Sequence, residues 1–336
     1  MDAGLAIAVL LALGFAVTNG LHDASNAIAT LVATRAATPL QAILLATVFN
    51  LLGPLLVGAA VADTIGGIVT VSPSVAIEVI GSGLAAATAW NLATWRLGLP
   101  SSSGHSLVGG LVGAALVEGG THAVNWGGLD GIHPVGVFGT LIALAVSPVL
   151  GGLAALAVIR GLRRIAARAT RRWRGQVQGG QWVTSAALSF SHGANDAQKS
   201  VGVVAALLLA DGRIDSLSAP TWVIVACSAA LTAGTALGGW RIIRTVGRRI
   251  YRIHPLEGLS SQSSSAGVIL GASFLGAPVS TSQVVASSVV GIGAGRRRLR
   301  HVNWEIVRHI GLAWLITLPA SAALAAAVLG LWRLLT

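Results

Sequence analysis

Two short polar motifs interrupt long apolar stretches of this chain, and each contains an aspartate. Residues 20–26 read GLHDASN, and residues 193–199 read GANDAQK. A carboxylate at mid-membrane costs at least about 2.5–3.5 kcal/mol, so such a residue usually binds a substrate, an ion or a proton. We interpret Asp23 and Asp196 as substrate-binding and coupling residues, the alternative being buried carboxyl groups with a structural role.

Two hydroxyl-rich turns follow the aspartate motifs in the same order. Residues 100–105 read PSSSGH, and residues 278–283 read PVSTSQ. Each proline is expected to end one helix, which places the hydroxyl groups at the start of the next, where free N–H groups and the helix dipole favour anions. One such turn alone would fit ordinary N-capping. The repetition favours an oxyanion site built from Ser102, Ser103, Ser280 and Thr281.

Lys199 is the only lysine in the chain, beside 21 arginines. It follows Asp196 by three residues, so the two can share a helix face. Its counterpart in the first motif is Asn26, three residues after Asp23. Asp23 with Asn26 would suit a Na⁺ site, whereas Asp196 with Lys199 supplies its own cation, and a buried lysine can release a proton. Snorkelling of Lys199 to the interface is the alternative.

The remaining polar residues of the motifs are candidates of the same kind. His22 and His192 could titrate during transport or simply bond a backbone carbonyl. Candidate substrate-binding residues are thus Asp23, Asn26, Ser102, Ser103, Asn195, Asp196, Ser280 and Thr281. Candidate coupling residues are Asp23, Asp196, Lys199, His22 and His192.

The composition requires a membrane environment. Hydrophobic residues make up 54% of the chain and charged residues 10%, and the mean hydropathy is +0.78. Soluble domains have about 25% charged residues. Segments 40–62, 134–160, 219–240 and 304–332 reach the roughly 20 apolar residues that span a bilayer as a helix. Because the first apolar run lacks a basic leader, we do not expect a cleaved signal.

The net charge of +11 does not indicate nucleic acid binding, because the arginines are confined to segments between apolar spans. These segments are 160–174, 241–252 and 296–300. Short basic segments of this kind are typical of cytoplasmic loops. The single cysteine, Cys227, excludes an internal disulfide and a cysteine-based zinc site.

The motifs repeat at offsets of 173 and 178 residues, which predicts two similar halves. Placing all basic segments in the cytoplasm requires 75–118 and 258–293 to be re-entrant hairpins, and both termini then lie outside. We therefore predict an all-α polytopic membrane protein with two inverted-topology repeats, each with a helix broken near its aspartate motif. The repeats are 1–160 and 181–336, joined by a basic cytoplasmic loop, 161–180.

The motifs resemble those of the inorganic phosphate transporter (PiT) family, in its bacterial low-affinity form. Residues 191–196 (SHGAND), 90–95 (WNLATW) and 98–103 (GLPSSS) carry the resemblance, which extends over nearly the whole chain. It implies phosphate symport with Na⁺ or H⁺, signature aspartates at Asp23 and Asp196, and substrate contacts from the hairpin-tip hydroxyls. The Gln198-Lys199 pair resembles members regarded as proton-coupled, some of which carry metal–phosphate. Gly104 and Gln283 depart from the commoner residues, and some relatives transport sulfate.

These observations predict proton-coupled phosphate import by alternating access in the plasma membrane. A Na⁺-coupled phosphate symporter, a sulfate permease and a passive anion channel remain alternatives. An enzyme is not expected, since no segment pairs a serine with a histidine convincingly and no metal-ligand cluster is evident. Expected partners are phosphate, a coupling ion and the lipid bilayer, with a homodimer left open, no nucleic acid and no cofactor.

Overall fold

The computed structural model describes residues 3–99, 101–166, 173–237, 250–251, 253–296 and 299–335, without the side chains of 24–26, 174 and 335. Apart from one short β-hairpin (Gly128–Asp130 and His133–Val135) and two 3₁₀ turns, its regular elements are α-helices. The helices are α1 Ala3–Ala33, α2 Pro39–Val57, α3 Ala60–Gly66, α4 Pro73–Leu97, α5 Ser103–Gly119, α6 Gly136–Ala166, α7 Trp173–Ala210, α8 Thr221–Leu237, α9 Pro255–Phe274, α10 Thr281–Gly295 and α11 Trp304–Leu335.

Five of these helices, namely α1, α2, α4, α6 and α11, are long and apolar enough to cross a membrane. Their outward faces carry large apolar side chains, such as Leu44 on α2 and Leu315 on α11, which are 57% and 74% exposed. Such faces are stable in lipid, where every backbone polar group is bonded within its own helix. The all-α, multi-pass membrane fold is therefore confirmed.

The predicted helix breaks are wrong: α1 and α7 are each continuous through their aspartate motifs. The glycines serve close packing instead. A Cβ atom at Gly20 would lie 1.9 Å from the Leu231 carbonyl oxygen of α8, and one at Gly193 would lie 2.2 Å from the Asn50 carbonyl oxygen of α2. Each glycine thus brings a neighbouring backbone against the site helix without interrupting its hydrogen bonds.

Both predicted hairpins are present as helix pairs, α4 with α5 and α9 with α10, each pair packed together. The first turns at Gly98, which adopts a left-handed conformation (φ 68°) and closes α4 with a hydrogen bond from its N–H to the Trp95 carbonyl. The second turns at Gly276, also left-handed (φ 68°). Whether these helix pairs re-enter the membrane, and whether they do so from opposite faces, stays a prediction.

The two sequence halves interlock. Helix α1 packs on α8 and α2 packs on α7, while α6 packs on α10 and α11 packs on α5. Each of these pairs therefore joins a helix of one half to a helix of the other half. Helices α6 and α7 extend into the segment predicted as a loop, to Ala166 and from Trp173. Pro100 lies outside the described residues. So do parts of the basic segments, namely 167–172, 241–249, 252 and 297–298.

Candidate functional site

The first hairpin has its tip at residues 101–105 and the second at 278–283. Each tip is hydrogen-bonded to one of the two aspartates. On the first tip, the Ser103 hydroxyl donates to Oδ2 of Asp23. On the second tip, the Thr281 hydroxyl donates to Oδ2 of Asp196 at 2.9 Å. All four side chains are at most 2% exposed. The repeat seen in the sequence is thus a repeated contact, made once in each half.

The other tip hydroxyls cap the helices that follow. The Ser102 hydroxyl accepts the His105 N–H, and the Ser280 hydroxyl accepts the Gln283 N–H, both at 3.3 Å. These contacts match the N-capping interpretation. The tips also meet each other, because the Ser282 hydroxyl donates to the Ser101 carbonyl at 2.9 Å.

Lys199 lies between the aspartate of its own half and both tips. Its ammonium is paired with Asp196 and donates to the Val279 carbonyl of the second tip at 2.8 Å. A Cβ atom at Gly104, on the first tip, would lie 3.6 Å from the ammonium nitrogen. Lys199 is fully buried, so it does not snorkel to an interface. This distance is an ordinary van der Waals contact, so Lys199 lies against the first tip as well as the second.

His192 connects Asp196 to a chain of polar groups on two further helices. Its Nε2 lies 2.9 Å from Asp196 Oδ2, and its Nδ1 lies 3.0 Å from Asn50 Oδ1. The Asn50 amide donates to the Thr235 hydroxyl at 3.0 Å, which in turn donates to the Leu231 carbonyl. Asn50 therefore accepts from Nδ1–H, whereas Nε2 faces the Asp196 carboxylate without a hydrogen bond.

His22 occupies a different place around its aspartate. Its Nδ1 lies 3.2 Å from Asp23 Oδ1, and its Nε2 lies 3.1 Å from the Leu99 carbonyl. At the offset of the aspartate motifs, His22 corresponds to Asn195, and His192 corresponds to Asn19. Each half thus has one histidine and one asparagine around its aspartate, in exchanged positions.

The two asparagine candidates have different outcomes. The Asn195 amide donates to the Ser273 hydroxyl and the Ala277 carbonyl, both at 3.0 Å, and so holds α7 against the second hairpin. The side chain of Asn26 lies outside the described residues. The Asp23–Asn26 sodium site therefore stays a prediction.

Several residues of the site were missed from the sequence. Ser101 and Ser282 belong to the tip motifs, but the contact between them depends on how the hairpins meet. Asn50 had a usable signal, since it is an amide in the middle of a predominantly apolar helix. Asn19 is fully buried, and neither end of its amide has a hydrogen-bond partner. Its position one helical turn before Asp23 is the sequence feature that could have identified Asn19 as a site residue.

These features define a class of protein. Two buried carboxylates, a buried ammonium and two hydroxyl-rich helix starts meet inside apolar helices, away from solvent. Paired halves that converge on such a central site are the architecture of a secondary transporter.

Comparison with known proteins gives the family. The model of the phosphate transporter family matches residues 19–325. The chain is 39% identical over 331 residues to a probable low-affinity inorganic phosphate transporter of Bacillus subtilis, and 38% identical over 333 residues to one of Rhizobium meliloti, covering 97% of each chain in both cases. A solved structure described as the sodium-dependent phosphate transporter superposes with a TM-score of 0.86 at 28% identity, covering 99% of this chain and 100% of that one. This chain belongs to the phosphate transporter family, whose members are transporters and not enzymes.

Proposed function

We propose that this chain imports inorganic phosphate by proton symport, with the anion bound between the two hairpin tips. The observation that carries the proposal is the repeated contact of a tip hydroxyl with a buried aspartate. Ser103 and Thr281 now donate to Asp23 and Asp196, and both hydroxyls would be available to a phosphate that took the place of the carboxylates. The bacterial relatives named as inorganic phosphate transporters support the choice of substrate.

The charge of the site favours cotransport of cations. Asp23, Asp196 and Lys199 leave one net negative charge in a buried site, before either histidine is protonated. A phosphate anion adds to that charge, and like charges repel strongly where water is excluded. Cotransported protons would offset this repulsion. His192 is placed to bind one, since its Nε2 lies 2.9 Å from the Asp196 carboxylate.

Sodium coupling is the second candidate. It is favoured by the structural neighbour, which is described as sodium-dependent. Lys199 argues against it for the second half, because its ammonium occupies the position beside Asp196 that a cation would take. In the first half, the Asp23–Asn26 pair is the candidate Na⁺ site.

Phosphate is preferred to sulfate for a chemical reason. At neutral pH phosphate retains a proton that it can donate to a carboxylate, whereas sulfate has none. Asp23 and Asp196 are two such acceptors.

Carriage of phosphate as a metal complex belongs to the same proposal, as do a plasma-membrane location, termini outside the cell and a homodimeric assembly.

Reconstituted liposomes test the proposal. A pH gradient, acid outside, should drive uptake of labelled phosphate in sodium-free buffer, and excess sulfate should not compete. Uptake driven only by a sodium gradient would refute proton coupling. Uptake that needs neither gradient would indicate a passive channel.

Lys199→Asn tests the built-in cation directly. We expect sodium-free uptake to fall about tenfold or more, since breaking a buried ion pair leaves an uncompensated charge worth about 3–5 kcal/mol. Added sodium should restore part of the uptake in the variant while leaving the unmodified protein unchanged. Lys199→Arg serves as the control that retains the charge. Sodium stimulation of the unmodified protein would contradict this role for Lys199.

A further inference from the structure

A row of buried polar side chains continues from the site toward one end of α7. Gln181, Ser185 and Ser189 follow at close to one-turn intervals before His192, so they share a face of the helix. All three are fully buried. The row covers roughly 16 Å of helix, at about 1.5 Å per residue. Its far end, Gln181, lies about two helical turns from the start of α7 at Trp173. Helix α6 ends seven residues before Trp173 in the chain, with a basic last turn; we call the end of the molecule where α7 begins the basic face.

Helices α1 and α9 complete the row. The Ser185 hydroxyl donates to the Ala27 carbonyl of α1 at 3.3 Å, and the Thr184 hydroxyl donates to Oε1 of Gln262 on α9 at 2.7 Å. The Thr34 hydroxyl donates to Oε1 of Gln181 at 2.7 Å. The three helices therefore share one buried polar surface. We define the polar tract as Thr30, Gln181, Ser185, Ser189, Gln262 and Ser265.

Most side chains of the polar tract have a polar atom without a hydrogen-bond partner, although all are at most 1% exposed. Burial of an unpaired polar group is unfavourable, so a run of them needs an explanation. Because both glutamine oxygens already accept hydrogen bonds, their amide N–H groups are left to donate. The unpaired atoms are Thr30 Oγ1, Gln181 Nε2, Ser189 Oγ, Gln262 Nε2 and Ser265 Oγ.

The opposite side of the site has a different lining. There the same helices α1 and α7, together with α4, bury a continuous apolar core that includes Leu5, Ala12, Phe15, Ala87 and Val204. An apolar core of this kind excludes water and anions. Along α1 and α7, the lining is therefore polar between the site and the basic face, and apolar on the opposite side of the site.

We propose that the polar tract is a hydrated route that connects the site with the basic face, and that water and the transported anion take it. Hydroxyl and amide N–H donors can replace part of an oxyanion's hydration shell. The tract contains no charged side chain, so it would hold an anion only weakly and allow its release. The route rests on the proposed function only for the identity of the anion.

Thiol accessibility tests the route. In a Cys227→Ala background, Ser189→Cys and Ser265→Cys place a thiol in the polar tract, and Ala12→Cys and Ala87→Cys are matched controls at fully buried apolar positions. A membrane-impermeant methanethiosulfonate is added to either face of proteoliposomes of known orientation. We expect the tract thiols to react from the basic face about tenfold faster than the control thiols, since modification requires an accessible thiolate.

Tract thiols that react no faster than the controls, or only from the opposite face, would overturn the proposal and leave the tract as structural contacts between helices. Size-exclusion profiles of the purified variants identify misfolded ones, for which Ser185→Cys is the substitute in the tract. The labelling uses no phosphate. If it succeeds where phosphate uptake fails, the substrate proposal is refuted and the route stands.

Discussion

At the scale of single residues, the polar groups of this site are held by contacts with one another. Asp196 contacts Lys199, His192 and Thr281, which belong to two different helices. Asp23 contacts Ser103 and His22. A ligand that displaces one partner therefore changes the pairing of the others. Under the proposed proton symport, this arrangement would link anion binding to proton binding.

Asn50→Leu tests the link at His192. The variant removes the acceptor of Nδ1–H on α2, a helix without titratable side chains, and leaves Asp196 as the remaining partner of the ring. We expect uptake to fall about tenfold, because a buried donor left without its acceptor costs about 1–3 kcal/mol. Uptake of labelled phosphate into liposomes measures the effect.

Thr47→Val is the control for Asn50→Leu. It removes an unpaired hydroxyl from the same helix, about one turn away, and should leave uptake unchanged. Undiminished uptake by Asn50→Leu would show that transport does not need the contact between Asn50 and His192.

At the scale of elements, glycines set how closely the helices approach. Gly20 of α1 lies against α8, and Gly234 of α8 lies in turn against α1, where an added Cβ would be 2.0 Å from the Val17 carbonyl. Gly53 and Gly193 form the equivalent pair between α2 and α7. These contacts are between backbones, so neither partner can yield by changing a side-chain rotamer.

Gly20→Ala should consequently destabilise the fold. The added methyl group would overlap the Leu231 carbonyl and push α8 away, at a cost of about 1–3 kcal/mol for overpacking. Gly14→Ala is the matched control in the same helix, since a Cβ there meets nothing within 4 Å. Thermal unfolding in detergent measures both variants. Equal melting temperatures would contradict the role of Gly20 in packing.

At the scale of the whole molecule, the contact between the hairpin tips joins the two halves. The Ser282 hydroxyl of one half donates to the Ser101 carbonyl of the other, and the tip residues around it are buried. Under the proposed mechanism, a phosphate bound between the tips would have to separate them and would leave by a path that opens on one side at a time. The interlocked helices would carry that motion across both halves.

Cross-linking the tips should therefore stop transport. With Cys227→Ala as background, the double variant Ser101→Cys and Ser282→Cys joined by a bifunctional methanethiosulfonate cross-linker should lose phosphate uptake by about tenfold or more, because the closed tips prevent the conformational step. A reducing agent should restore it. The two single-cysteine variants, treated in the same way, control for the effect of thiol modification alone. Undiminished uptake by the cross-linked protein would show that the tips need not separate.

The sequence by itself determined the membrane fold, the two-fold repetition and the types of residue at the site. Apolar length sets the spans, and a charged residue inside a span is costly enough to stand out, as with Asp23, Asp196 and Lys199. The tip hydroxyls stood out because they recur at nearly the same offset.

Only the tertiary structure decided how these residues pair. The choice between a helix break and close packing at Gly20 and Gly193 depends on the helix that approaches, which is distant in sequence. For the same reason, the sequence missed the contacts of Asn50 with His192 and of Ser101 with Ser282, and it did not reveal the polar tract. Hydrogen bonds between helices depend on rotation and depth, and local spacing does not encode either one.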